Sequence, residues 1–98
     1  MTITTTRNSG SLTLALEGRL DTTTAPELEA VIKNGLEGVD SLVLDMEGLA
    51  YLSSAGRRVI LAAQKQMNRQ GSMVVRHVCE TIMEVFEVTG FTDILTIE

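Results

Sequence analysis

Residues 42–67, LVLDMEGLAYLSSAGRRVILAAQKQM, change their hydrophobic period once, and that change restricts the fold more than any other feature of the chain. The stretch opens on the apolar run Leu42-Val43-Leu44, which ends in Asp45, and passes through the polar turn Glu47-Gly48 to the pair Ser53-Ser54. The Leu-Val-Leu content predicts a strand over residues 41–45, central in its sheet rather than at an edge. Beyond Ala55, the positions Gly56, Val59, Ile60, Ala63 and Met67 mark one helical face, and Arg57, Gln64, Lys65 and Asn68 mark the opposite one. A buried strand feeding a helix is the unit from which α/β folds are built. Two small hydroxyl residues therefore stand where strand and loop hand over to helix.

The flanking chain repeats the theme. Residues 3–7 are rich in Thr, which suits a half-exposed strand. Asn8-Ser9-Gly10 signals a turn, and Leu12, Leu14 and Leu16 alternate with Thr13, Ala15 and Glu17, so the first two strands form a hairpin. Thr24 followed by Glu27 fits a capping box, Pro26 suits a first helical turn, and Leu28, Val31, Ile32 and Leu36 give the first helix one apolar face. Gly71 stops the second helix, and residues 72–75 read as a fourth strand. Cys79, Ile82, Met83 and Phe86 line a third helix, opposite Glu80, Glu84 and Glu87, with Gly90 as its C-cap. Residues 94–97 fit a short terminal strand. The order is β-β-α-β-α-β-α-β, whose alternation after the hairpin implies parallel neighbours and one α/β domain over residues 1–98.

Charge narrows the partners. A net charge of −5, with Arg57-Arg58 the one adjacent basic pair, argues against binding a phosphate backbone. No segment approaches the ~20 apolar residues that span a bilayer, and the N-terminus lacks the pattern of a signal peptide. Cys79 is the single cysteine and has no internal disulfide partner, so the expected setting is reducing and cytoplasmic. Its place on the third helix's apolar stripe points to the core rather than to a redox centre.

Chemistry is sparse. Phosphate-cradling glycine loops are absent, one Cys and one His build no metal site, and Ser53-Ser54 lacks the G-x-S-x-G elbow of a serine hydrolase. A small serine hydrolase is thus a minor alternative, and the expectation is a protein without catalysis or cofactor. The serine pair has a plain role as an N-cap, because a serine oxygen accepts a bond from an otherwise unpaired first-turn amide. The same place suits a phosphoacceptor, since a helix N-terminus tolerates a phosphate. The residues alone fit both roles. Asp45 and Asp21 read as turn or cap residues, and Leu61, on the polar face between Arg57 and Lys65, as a candidate apolar anchor for a partner.

Four stretches make the chain resemble the bacterial STAS-domain anti-sigma factor antagonists: Glu17-Gly18-Arg19-Leu20-Asp21, residues 42–49, Tyr51-Leu52-Ser53-Ser54-Ala55-Gly56, and residues 84–91. The resemblance spans nearly the whole chain and implies a mixed, mostly parallel sheet packed by helices. It also implies a role. Such antagonists bind an anti-sigma factor that is a serine kinase of the histidine-kinase-like ATPase fold, and so free a sigma factor. The kinase, which holds the ATP, phosphorylates the antagonist at the start of the second helix and breaks the complex; a PP2C-type phosphatase reverses this.

Carried over residue by residue, the likeness is partial. Many members read Asp-Ser-Ser-Gly or Asp-Ser-Thr-Gly; aligned on Gly56, this chain has Ser53 at the Asp and Ala55 at the acceptor before the glycine. A branch reading Ser-Ala-Gly uses the serine before the alanine, which points to Ser54, with Ser53 second. Arg57 replaces the usual leucine and sets a cation beside the site. Asp21 matches the family's acidic residue near the acceptor. The expected partner surface comprises Asp21, Thr22, Ser53, Ser54, Ala55, Gly56, Arg57, Arg58 and Leu61. A STAS subunit or scaffold of a transport or signalling assembly, without a switch, is the alternative.

Overall fold

Strand β1 (Thr2–Asn8) turns at Ser9-Gly10 onto β2 (Ser11–Leu20), forming the hairpin that the Asn-Ser-Gly signal predicts. The computed structural model, which describes residues 1–98, continues with α1 (Ala25–Gly35), β3 (Ser41–Leu52), α2 (Ser54–Gln70), β4 (Ser72–Arg76) and α3 (Glu80–Thr89). The sheet order is β1-β2-β3-β4; β1 is antiparallel to β2, and β2, β3 and β4 run parallel. This is the α/β arrangement expected, with β3 central.

The closing strand expected over 94–97 contracts to a single parallel bridge between Val75 and Ile97. A short 3-10 turn at Phe91–Asp93 takes up the chain after α3, leaving only the bonds from Val75 N–H to Thr96 O (2.8 Å) and from Glu98 N–H to Val75 O (2.9 Å).

Alternation decides which sheet face is covered. Leu12, Leu14, Leu16, Leu42, Leu44, Met46, Met73 and Val75 are buried, and they join Leu28, Ile32, Val59, Ile60, Met67 and Phe86 from the helices in one cluster. The intervening Thr13, Ala15, Val43 and Val74 are half-buried on the other face. The helices therefore cover one face only.

Strand β3 runs seven residues past the expected end at Asp45. Its pairing with β2 shifts twice, between Ala15 and Glu17 and again between Gly18 and Arg19. Each bulge moves the inward set by one residue, so Met46, Leu49 and Leu52 are all buried despite odd spacing. Glu47-Gly48, which reads as a turn, instead closes the first of these bulges, where Met46-Glu47 stand opposite Leu16 and Gly48 pairs with Glu17. The second delivers Leu52 inward and leaves Ser53 at the start of α2.

Two side chains depart from their expected faces. Gln64 is buried rather than on the polar face, because α2 packs against α1, β3 and β4 and so buries a wide arc; its Nε2 donates to Asn68 Oδ1 at 2.8 Å. Cys79 is exposed, not core: with φ −72° and ψ 163° it precedes α3 in extended conformation, which takes its side chain off the stripe that begins at Ile82. Gly90 caps α3 in the left-handed conformation, φ 79°. At the end of α2, Gly71 is required by space, since a Cβ there would overlap the Asp40 carbonyl.

Candidate functional site

The corner between β3 and α2 is built by three contacts. Ser53 N–H donates to Leu20 O at 2.9 Å, fastening the end of β3 to the end of β2. Ser53 is extended (φ −92°, ψ 173°), so its Oγ reaches over the first turn and accepts from Gly56 N–H at 3.1 Å. Gly56 lets that turn lie against the core, because a Cβ would stand 2.7 Å from Leu20 Cγ and 2.9 Å from Leu52 Cδ1. Ser53 is thus the cap, and Ser54 is the first helical residue, exposed and free of capping. Its Oγ accepts one bond, from Arg57 Nη2 at 2.7 Å.

The neighbouring corner, from β2 to α1, is organised by Asp21. One oxygen, Oδ1, accepts from Thr23 N–H (3.0 Å), Thr23 Oγ1 (2.8 Å) and Thr24 N–H (3.1 Å). The Thr23 hydroxyl is the main cause that holds the Asp21 carboxyl below its ordinary range, with the two amides adding to it. The expected capping box is not formed: Thr24 is helical rather than extended (φ −100°, ψ −20°), and it makes no side-chain cap bond. Its hydroxyl turns back instead, donating to Arg19 O at 2.7 Å and accepting from Asp21 N–H at 2.8 Å.

Arg19 links the two corners. Its guanidinium lies 4.1 Å from the Tyr51 ring centroid, and its Nε is 3.9 Å from Asp21 Oδ2. Tyr51 then forms one wall of an open groove of about 490 Å³ between the start of α2 and α3, which holds Ser53, Ser54 and Arg57 opposite Thr81, Glu84, Val85 and Val88. On the other side of the same turn, Thr22, Pro26 and Glu29 face Ala55, Arg58 and Val59 across a groove of about 290 Å³.

The sequence-predicted residues thus divide. Ser53, Ser54 and Arg57 share one groove, Thr22, Ala55 and Arg58 share the other, and Gly56 is buried between them. Asp21 joins them through Arg19 and Tyr51. Leu61, one turn past Arg57, is half-buried and lines neither groove. Sequence reasoning missed the α3 wall; its one signal is that Val88 falls off the stripe of Ile82, Met83 and Phe86, and the structure leaves it 87% exposed.

A third cluster lies at the first bulge. Asp45 Oδ1 accepts from Glu47 N–H at 3.1 Å and lies 2.9 Å from His77 Nδ1, with Glu47 Oε2 4.0 Å from the same nitrogen. The His77 bond is the main cause that lowers the Asp45 pKa. These three are the side chains with ligand chemistry, but Asp45 and His77 already satisfy each other. His77, the single histidine, belongs to this cluster and lines neither groove.

The profile of the STAS domain family matches residues 2–98, and the chain belongs to that family. It is 35% identical over 99 residues to BtrV of Bordetella bronchiseptica, assigned by name to the anti-sigma factor antagonists, covering 99% of this chain and 85% of that one. The fold is similar to the crystal structure of an anti-sigma factor antagonist from Mycobacterium paratuberculosis, with TM-score 0.89 at 21% identity, covering 98% of this chain and 83% of the other. It is also similar to the Bacillus cell fate determinant SpoIIAA in its phosphorylated form, with TM-score 0.78 at 17% identity over 99% of this chain and 91% of the other.

Proposed function

We propose that this chain is an anti-sigma factor antagonist released from its partner by phosphorylation of Ser54. The observation that carries the reading is the division of labour between the serines: Ser53 Oγ caps α2 while Ser54 Oγ is exposed at its first turn. A modified Ser54 leaves the cap, and with it the fold, intact. The names of the curated relatives support the partner class, and the phosphorylated form of SpoIIAA supports the chemistry.

The partner is an anti-sigma factor with serine kinase activity of the histidine-kinase-like ATPase fold. In the transfer, the Ser54 O–H proton leaves, an Oγ–P bond forms to the γ-phosphorus of the kinase's ATP, and the bond to the β-phosphate breaks to release ADP. The phosphate adds about −1.5 to −2 charges to a surface the partner must cover, on a chain whose net charge is already −5. A PP2C-type phosphatase restores the hydroxyl by water attack at phosphorus, releasing inorganic phosphate.

Incubation with the cognate kinase and ATP, followed by mass spectrometry, tests this. Phosphate is expected on Ser54; phosphate on another residue, or none with an active kinase, overturns it and favours a STAS subunit without a switch. Ser54→Asp is expected to weaken kinase binding by at least about tenfold, by setting a negative charge in the interface. Its melting curve is expected to stay near wild type, because an acid in the first turn suits the helix dipole.

A further inference from the structure

Arg57 is a cation with an unfilled place beside Ser54. Its Nη2 donates to Ser54 Oγ at 2.7 Å, while its Nε is enclosed and has no hydrogen-bond partner. Those two donors form one side-on edge of the planar guanidinium, the edge that binds the oxygens of carboxylates and phosphates in pairs. The same edge is filled elsewhere in this molecule: Arg76 directs Nε (3.2 Å) and Nη2 (2.8 Å) at Glu98 Oε1. At Arg57 no carboxylate of the chain takes that edge. Glu84 lines the same groove but makes no salt bridge with Arg57.

An enclosed donor without a partner is uncommon in folded proteins and calls for an account. The Ser54 hydroxyl meets only one of the two donors, whereas a phosphate offers the paired oxygens that this edge of a guanidinium binds. The amides of Ser54 and Ala55, at the first positions of α2, have no intrahelical acceptor, and such N–H groups favour an anion at the helix start. We propose that Arg57 is a built-in clamp that closes through Nε and Nη2 on the phosphate of phosphorylated Ser54. This rests on the reading of Ser54 as the acceptor. The clamp holds the phosphate against α2, shares its charge with the antagonist's own guanidinium, and stabilises the phosphorylated form against the phosphatase.

The test uses the full chain with phosphoserine installed at position 54 during translation, so that no kinase is needed, and follows the phosphate by ³¹P NMR against pH. An unclamped phosphoserine titrates near 6; the wild-type titration is expected lower, and Arg57→Leu is expected to raise it by about half a unit or more. Arg57→Gln, which keeps a long polar side chain without the charge, is expected to do the same and covers the case in which the leucine perturbs folding. Equal titrations in wild type and both folded variants overturn the clamp. A kinase that leaves Ser54 unmodified overturns the proposed switch instead, and the titration separates the two failures.

Discussion

Helices α1 and α2 start beside each other, at the ends of the paired strands β2 and β3, and they use their hydroxyl groups in opposite ways. At α1 the polar groups before the first turn are bonded to one another. Asp21 gathers two amides and the Thr23 hydroxyl, and Thr24 is bonded back to Arg19 and Asp21. At α2 only Ser53 is bound into the cap, while Ser54 faces water beside an arginine that still has a free donor. The cause is a single backbone angle. Thr24 is helical at ψ −20°, whereas Ser53 is extended at ψ 173°, and only the extended residue places its oxygen over the first-turn amides. One corner is a closed polar network that fixes the fold; the other is as well fixed but keeps a reactive group available.

The comparison is broken most severely by removing the space under α2. Gly56→Val places a Cβ where Leu20 and Leu52 already stand, at 2.7 Å and 2.9 Å. The expected loss is roughly 1 to 3 kcal/mol of stability by urea denaturation, because a packed core gives little room. The displaced turn also loses kinase modification of Ser54. A wild-type midpoint would show that the corner is soft, and that the contrast with α1 is not one of rigid geometry.

A smaller effect separates the two serines. Ser53→Ala removes the cap and is expected to cost about 1 kcal/mol while Ser54 remains a phosphoacceptor. Ser54→Ala is expected to change stability by less than about 0.5 kcal/mol and to abolish modification. The reverse pattern in denaturation and mass spectrometry would exchange the roles of Ser53 and Ser54.

What could be read from the sequence follows the range of the forces involved. Period and turn signals are local, so the hairpin, the three helices and the parallel core were legible in residues such as Leu12, Leu14, Ile60 and Phe86. The extension of β3 was not, because each bulge resets the alternation that marks a strand, and Glu47-Gly48 then looks like a turn. The capping box failed for a related reason: Thr24 and Glu27 have the right spacing, but the pattern does not encode the ψ of Thr24 or the pull of Asp21 on its neighbours. At the site, the serine pair and Arg57 were visible, but which serine caps depends on a helix boundary one residue wide. The α3 wall of the groove, with Glu84 and Val88, arises from tertiary packing and leaves only the oddity of an exposed valine.

Acid offers the finest separation of the two corners. The α1 corner rests on an ionised carboxylate, Asp21, whose pKa lies below its ordinary value mainly through the Thr23 hydroxyl. A group whose folded pKa is depressed contributes stability that is present above the unfolded value, about 3.9, and lost as pH falls through the folded one. The α2 cap rests on the neutral hydroxyl of Ser53, which does not titrate in that range. Below pH ~4, the amide resonances of Thr23 and Thr24 are therefore expected to move together with the protonation of Asp21, while that of Gly56 holds its position. Asp21→Asn should abolish the movement at Thr23 and Thr24 and leave Gly56 unchanged. Should Gly56 titrate with them, the two corners would form one coupled network through Arg19 and Tyr51, and the independence of the α2 cap from the Asp21 network would be lost.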